Sequence, residues 1–129
     1  MKIDHIGIAV RSMDAARKAY EAMGLAVEST DTVAGEKVRI AFLPVGDTRI
    51  ELLEPMSPEG AIARAIEKRG EGIHHIAFLV DDIQKAIVDA KAGGLQMVDE
   101  NPRVGAHGRR VAFVHPKSTN GVLIEFVQD

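Results

Sequence analysis

Residues 3–10 read I-D-H-I-G-I-A-V, and residues 73–80 read I-H-H-I-A-F-L-V: one strand-like phrase written twice, 70 residues apart. Side chains on a β-strand alternate between its two faces. Ile6, Ile8 and Val10 therefore share one face, and His5, Gly7 and Ala9 the other. In the second copy Ile76, Phe78 and Val80 oppose His75, Ala77 and Leu79. The bulky faces belong beneath helices. The histidine faces carry a very small residue at the next position, Gly7 or Ala77, which leaves room beside each imidazole.

The repeat runs on past the strands. At the same offset Ala16 falls on Ala86, Ala22 on Ala92, Gly24 on Gly94 and Leu25 on Leu95. Residues 12–24 and 81–94 are alanine-rich with apolar residues at helical spacing, so each predicts a helix. Ser12 or Asp14, and Asp81 or Asp82, suit the N-caps; Gly24, and Gly93 or Gly94, suit left-handed C-caps. Strand patterns return at 38–43 and 48–53, and again at 110–114 and 121–127. Short strands over 25–29 and 95–99 are expected directly after the helices. By Glu51 and Glu125 the offset has grown to 74, which extra turn residues around 115–120 explain.

The prediction is an α+β fold of two tandem β-α-β-β-β modules within one domain, residues 1–129. Module 1 covers about 1–53 and module 2 about 72–129, joined by a connector, 54–71, with a short helix over 62–69. A module of half this length cannot bury its own sheet well. The two are expected to form a cup-shaped, partly open mixed β-sheet with helices on its outer face.

Bulk properties narrow the function. A net charge of −3 gives no electrostatic reason to expect nucleic acid or an anionic membrane. There is no cysteine, which excludes disulfides and thiolate metal sites. No run of 18 apolar residues occurs, nor a basic segment leading into an apolar one at the N-terminus, so a cytoplasmic protein is expected. With no Trp, one Tyr and four Phe, platforms for stacking bases or sugars are scarce.

Glu51 and Glu125 each sit inside an otherwise apolar strand, R-I-E-L-L and L-I-E-F-V. A carboxylate there is costly unless it is paired or binds a cation. Each module thus offers one histidine on its first strand and one glutamate on its last. Two imidazoles and two carboxylates converging on one surface suit a divalent ion such as Zn, Fe, Co, Ni or Mn, with positions left for water or substrate. A lone strand histidine is more often structural, and a lone strand glutamate is usually exposed; the matched phase across a repeat favours the metal. His74 has the opposite phase and is expected against helices or near their ends. His107 and His115 lie in loops flanking the penultimate strand, and the loop from Arg103 to Arg110 with Lys117 is a weak signal for phosphate.

The stretches D-H-I-G-I-A-V, G-D-T-R-I-E-L-L-E-P, G-I-H-H-I-A-F-L-V-D-D-I, G-A-H-G and H-P-K-S-T-N-G-V-L-I-E-F resemble the vicinal oxygen chelate superfamily, most closely its methylmalonyl-CoA epimerases. The resemblance covers essentially the whole chain. It implies one divalent ion per chain (Co, Mn, Zn, Ni, Fe or Mg) held by His5, Glu51, His75 and Glu125, an acyl-CoA substrate and a homodimer. Epimerisation moves a proton at the carbon between a thioester and a carboxylate through a metal-stabilised enolate. Glu125 is the first choice for one proton carrier. For the other, the resemblance points to the strand before Glu51, where Arg39 stands; arginine stays protonated and makes a poor base, so Glu51 or a metal-bound water is the substitute. A glyoxalase I-type lyase shares the metal site, but would usually end more like D-P-D-G-Y. A metal-free binding protein of the same fold commonly lacks the full ligand set.

Overall fold

A computed structural model describes residues 1–129. The chain forms two compact units: His5–His74, and Met1–Asp4 together with His75–Asp129. In the first, strand β1 (Lys2–Ala9) contributes from His5 onward. Helix α1 (Met13–Ala22), strands β2 (Ser29–Val33), β3 (Val38–Val45) and β4 (Thr48–Pro55), and helix α2 (Ala61–Arg69) follow. β4 runs parallel to β1 and antiparallel to β3, and β2 lies outside β3. The second unit repeats the plan with β5 (Gly72–Leu79), α3 (Ile83–Ala92), β6 (Arg103–Val104), β7 (Arg110–Val114) and β8 (Ile124–Gln128). β8 runs parallel to β5 and antiparallel to β7, and β6 pairs with β7. The chain is therefore α+β, built of two β-α-β-β-β modules.

Local chemistry sets the helices. Ser12 Oγ accepts the Ala15 N–H at the start of α1, and Asp82 Oδ1 accepts the Lys85 N–H at the start of α3. Both helices are followed by a glycine at positive φ, Gly24 at +95° and Gly94 at +91°, where a side chain would be strained. The last strand of each module adds a second cap. Glu54 accepts the Met13 N–H in module 1, and Gln128 accepts the Ile83 N–H in module 2.

Alternation then sorts each sheet into two faces. Ala41, Leu43 and Leu52 lie beneath α1 with Val10 and Met13, joined by Ile8, Ala16 and Tyr20 at the edges. Ala112, Val114 and Phe126 lie beneath α3 with Val80, Ile83 and Ile87. Burying a side chain such as Leu43 or Leu52 completely contributes about 1.5–3 kcal/mol. The residues that alternate with these on each strand, among them Glu51 and Glu125, are left for the opposite face.

Two strands lie later than expected. Residues 25–29 and 95–99 do not form strands of their own; β2 starts at Ser29 and β6 at Arg103. The reason is burial: Leu25 and Val27 pack against the module 1 core, and Leu95 and Met97 against the core of module 2. Those side chains hold the chain under the helix, and Met97 makes a single bridge to Val114. The final strand is also shorter than 121–127, because Pro116–Thr119 forms a 3-10 turn closed by Asn120 and Gly121 at positive φ. That turn accounts for the growing offset. No helix is long and apolar enough to cross a membrane.

Candidate active site

Register builds the module 1 site. His5 lies opposite Arg49 and Gly7 opposite Glu51 in the parallel pair, while Phe42 lies opposite Glu51 in the antiparallel one. One face therefore carries His5, Phe42, Arg49 and Glu51 together. His5 and Glu51 are buried, at 5% and 4% exposure. His5 Nδ1 lies 3.2 Å from Glu51 Oε2. Arg49 Nε donates to that same oxygen at 3.3 Å, and its guanidinium sits 5.6 Å from the centre of the Phe42 ring. The buried carboxylate thus has a cation beside it, which offsets the desolvation cost that a lone charge would carry.

Module 2 repeats the pair. Glu125 lies opposite both Ala77 and Phe113. His75 and Glu125 are each 6% exposed, and His75 Nε2 lies 3.1 Å from Glu125 Oε1. Phe113 meets His75 edge-on, ring centres 5.7 Å apart at 88°. An arginine again covers the phenylalanine: Arg103 lies 5.4 Å from the Phe113 ring centre. Its partner differs, because Arg103 Nε pairs with Asp99 Oδ1 at 3.3 Å. Asp99 also accepts the Phe113 N–H, fixing the strand that carries the ring.

The sequence-predicted ligands thus come together as His5 with Glu51 and His75 with Glu125. Gly7 and Ala77 sit across from the glutamates, the small residues expected beside each imidazole. Arg39 is turned away. It lies opposite Glu54 in the β3–β4 ladder, on the other face from Phe42 and Glu51, and pairs with Glu54 at 3.2 Å. The β3 residues that share the Glu51 face are Val38, Ile40, Phe42 and Pro44, none able to carry a proton.

His74 lines a small cleft with Arg69, Gly70 and Glu71 beyond the C-terminal end of α2, as its phase implied. His115 Nδ1 accepts the Lys117 N–H at 3.0 Å and so caps the 3-10 turn that follows. His107 holds a left-handed backbone, φ 59°, in the Gly105–Arg109 loop.

One buried pair escaped the sequence reading. Asp4 accepts two hydrogen bonds from Arg109, at 2.8 and 2.9 Å, and is 6% exposed. Arg109 Nε also lies 2.9 Å from Asp129 Oδ1, an ion-pair contact. The hydrogen bonds to Asp4 raise the guanidinium pKa further above its already strongly basic range. A signal was available: Asp4 stands in the phase of Ile6 and Ile8, where an apolar residue belongs. Arg103 and Arg109, two cations of the loop marked for phosphate, are thereby committed to Asp99 and Asp4.

Comparison with known proteins agrees with this architecture. Residues 4–113 match the model of the Glyoxalase/Bleomycin resistance protein/Dioxygenase superfamily. The uncharacterized protein YqjC of Bacillus subtilis is 41% identical over 128 residues, covering 98% of this chain and 91% of that protein. The ethylmalonyl-CoA/methylmalonyl-CoA epimerase of Cereibacter sphaeroides is 36% identical over 130 residues, covering 98% and 97%. A solved variant of Streptomyces coelicolor methylmalonyl-CoA epimerase, in complex with 2-nitronate-propionyl-CoA, is 37% identical with a TM-score of 0.93, covering 100% of this chain and 94% of that one. The chain belongs to the glyoxalase/bleomycin resistance/dioxygenase superfamily of paired β-α-β-β-β modules. Within it, the relatives that carry a named activity are methylmalonyl-CoA epimerases, and the chain belongs to their family.

Proposed function

We propose that this protein interconverts (2R)- and (2S)-methylmalonyl-CoA by moving a proton at the α-carbon, with His5, Glu51, His75 and Glu125 holding one divalent ion. The observation that carries the reading is the buried histidine–glutamate pair made independently in each module. Kinship with the epimerase family supports the substrate. The donor set fits the ion: neutral imidazoles and carboxylates without thiolate suit a catalytic site with open positions rather than a closed structural zinc. The ion would supply a positive centre for the charge that gathers on the thioester oxygen as the α-proton leaves.

The chain's own groups carry the proton. Glu125 takes it on one face of the carbon, and Glu51 serves the opposite face, since β3 offers only apolar side chains there. Such proton transfer by a positioned group contributes typically 10²–10⁴-fold. Their burial beside phenylalanine keeps bulk water from re-protonating the carbon at random. A homodimer belongs to this reading by analogy with relatives of the fold.

Proton NMR of (2R)- or (2S)-methylmalonyl-CoA in D2O tests it. Loss of the α-proton signal in the presence of the protein is the expected result. No exchange, with turnover of the methylglyoxal–glutathione hemithioacetal, would instead establish a lyase. Elemental analysis of protein purified without added metal or chelator should find about one divalent ion per chain; finding none would favour a binding protein.

A further inference from the structure

We infer that Arg49 is a specificity-determining residue that receives the free carboxylate of the substrate, so that the site selects malonyl-type thioesters over simple acyl-CoA. The inference rests on the acyl-CoA reading above and deepens it.

Charge balance raises the question. Two carboxylates and two neutral imidazoles around a divalent ion sum to zero, which leaves the ligand set no net charge for an anionic acyl group. A malonyl thioester brings one carboxylate before any proton moves and gathers further negative charge on its thioester oxygen afterward. A fixed cation beside the pair would make up the difference.

Arg49 has that position. It stands two residues before Glu51 on β4, so strand alternation puts it on the same face, opposite His5 across the ladder. Of the residues that register places on that face of module 1, it is the one cation. Its orientation is set on two sides, by the Phe42 ring and by Glu51 Oε2. Its side chain is 29% exposed, whereas those of His5 and Glu51 are 6% exposed. Part of the Arg49 side chain is therefore open to solvent, and hence to a ligand, while Nε stays anchored on Glu51. A guanidinium is a planar fork that matches a carboxylate, and an orientation already fixed lowers the entropy lost on binding.

The other arginines near these strands have different duties. Arg103 pairs with Asp99, which is not one of the four candidate ligands, and Arg109 is bound by Asp4 and Asp129. Arg39 lies on the opposite face with Glu54.

Calorimetric titration of metal-saturated protein with malonyl-CoA and with propionyl-CoA provides the test. The two share the entire CoA moiety and differ by the carboxylate, and malonyl-CoA has no stereocentre to epimerise. The wild type should prefer malonyl-CoA. Arg49→Gln should weaken malonyl-CoA about 10–100-fold, the range for one charge-assisted hydrogen-bonded contact, and change propionyl-CoA less than about twofold. Arg49→Lys, which keeps the charge, should recover part of the preference. Equal weakening of both ligands would assign Arg49 to the CoA tail or to folding and overturn the inference, as would no weakening of either. If the wild type bound neither thioester, the acyl-CoA reading itself would fall and this inference with it. Wild-type binding with an indifferent Arg49→Gln would sink the inference alone.

Discussion

The two modules make the same pair and wire it differently. In module 1 the imidazole presents Nδ1 to Glu51, and an arginine donates to the same carboxylate oxygen. In module 2 the imidazole presents Nε2 to Glu125, and the arginine over the phenylalanine pairs with Asp99 instead. The caps differ in the same spirit, an anionic Glu54 against a neutral Gln128. Duplication thus preserved positions on strands, while individual side chains acquired separate tasks. A repeat copies geometry more faithfully than charge.

The largest expected effects come from removing one half of the site. His5→Ala and His75→Ala should each abolish stoichiometric metal and lower α-proton exchange by at least about 100-fold, with the far-ultraviolet circular dichroism unchanged. Full metal content in either variant would remove that histidine from the ligand set and make the halves unequal. Glu125→Gln and Glu51→Gln come next. Each should slow epimerisation by about 10²–10⁴-fold in a single-turnover deuterium assay. An intact rate in Glu51→Gln would mean that module 1 only binds and module 2 alone moves the proton.

Stability distinguishes the modules as well. Asp4→Asn leaves the Arg109 charge buried with Asp129 as its remaining carboxylate, and should cost about 3 kcal/mol in urea denaturation. Arg109 has a raised pKa in the folded state, so what its pairing contributes is fully present below the unfolded pKa and is lost only as pH climbs through the folded one, in strong alkali. The penalty of Asp4→Asn should accordingly be flat from about pH 6 to 9. The smallest effect belongs to the caps. Gln128→Glu should be neutral or stabilising by about 0.3–1 kcal/mol, since a carboxylate suits a helix N-terminus, and Glu54→Gln should lose a similar amount. Denaturation midpoints of the two variants check that mirror relation directly.

Much of this was legible because its cause is periodic. Alternation along residues 3–10 and 73–80 placed His5 and His75 on the faces opposite the helices, and the caps and glycines marked where the helices start and stop. Glu51 and Glu125 announced themselves as acids within apolar strands. What escaped depends on residues far apart in the chain. Nothing near Asp4 points to Arg109, 105 residues away. The displaced β2 and β6 follow from Leu25, Val27, Leu95 and Met97 choosing the core over a sheet edge, a competition that strand propensity does not contain. Arg49 was in view all along, in phase with Glu51, but its role needed Phe42 on the neighbouring strand.

The Asp4–Arg109 bond also bears on how the molecule is made. Asp4 and Arg109 are 105 residues apart, so the chain between them must be made before the two can meet. The unit that joins Met1–Asp4 to His75–Asp129 therefore cannot be completed from one continuous stretch of chain, and it cannot close until Arg109 has been synthesised. Such a distant pairing slows folding. Removing Met1–Asp4 would take that pairing away and so destabilise the unit built from His75–Asp129.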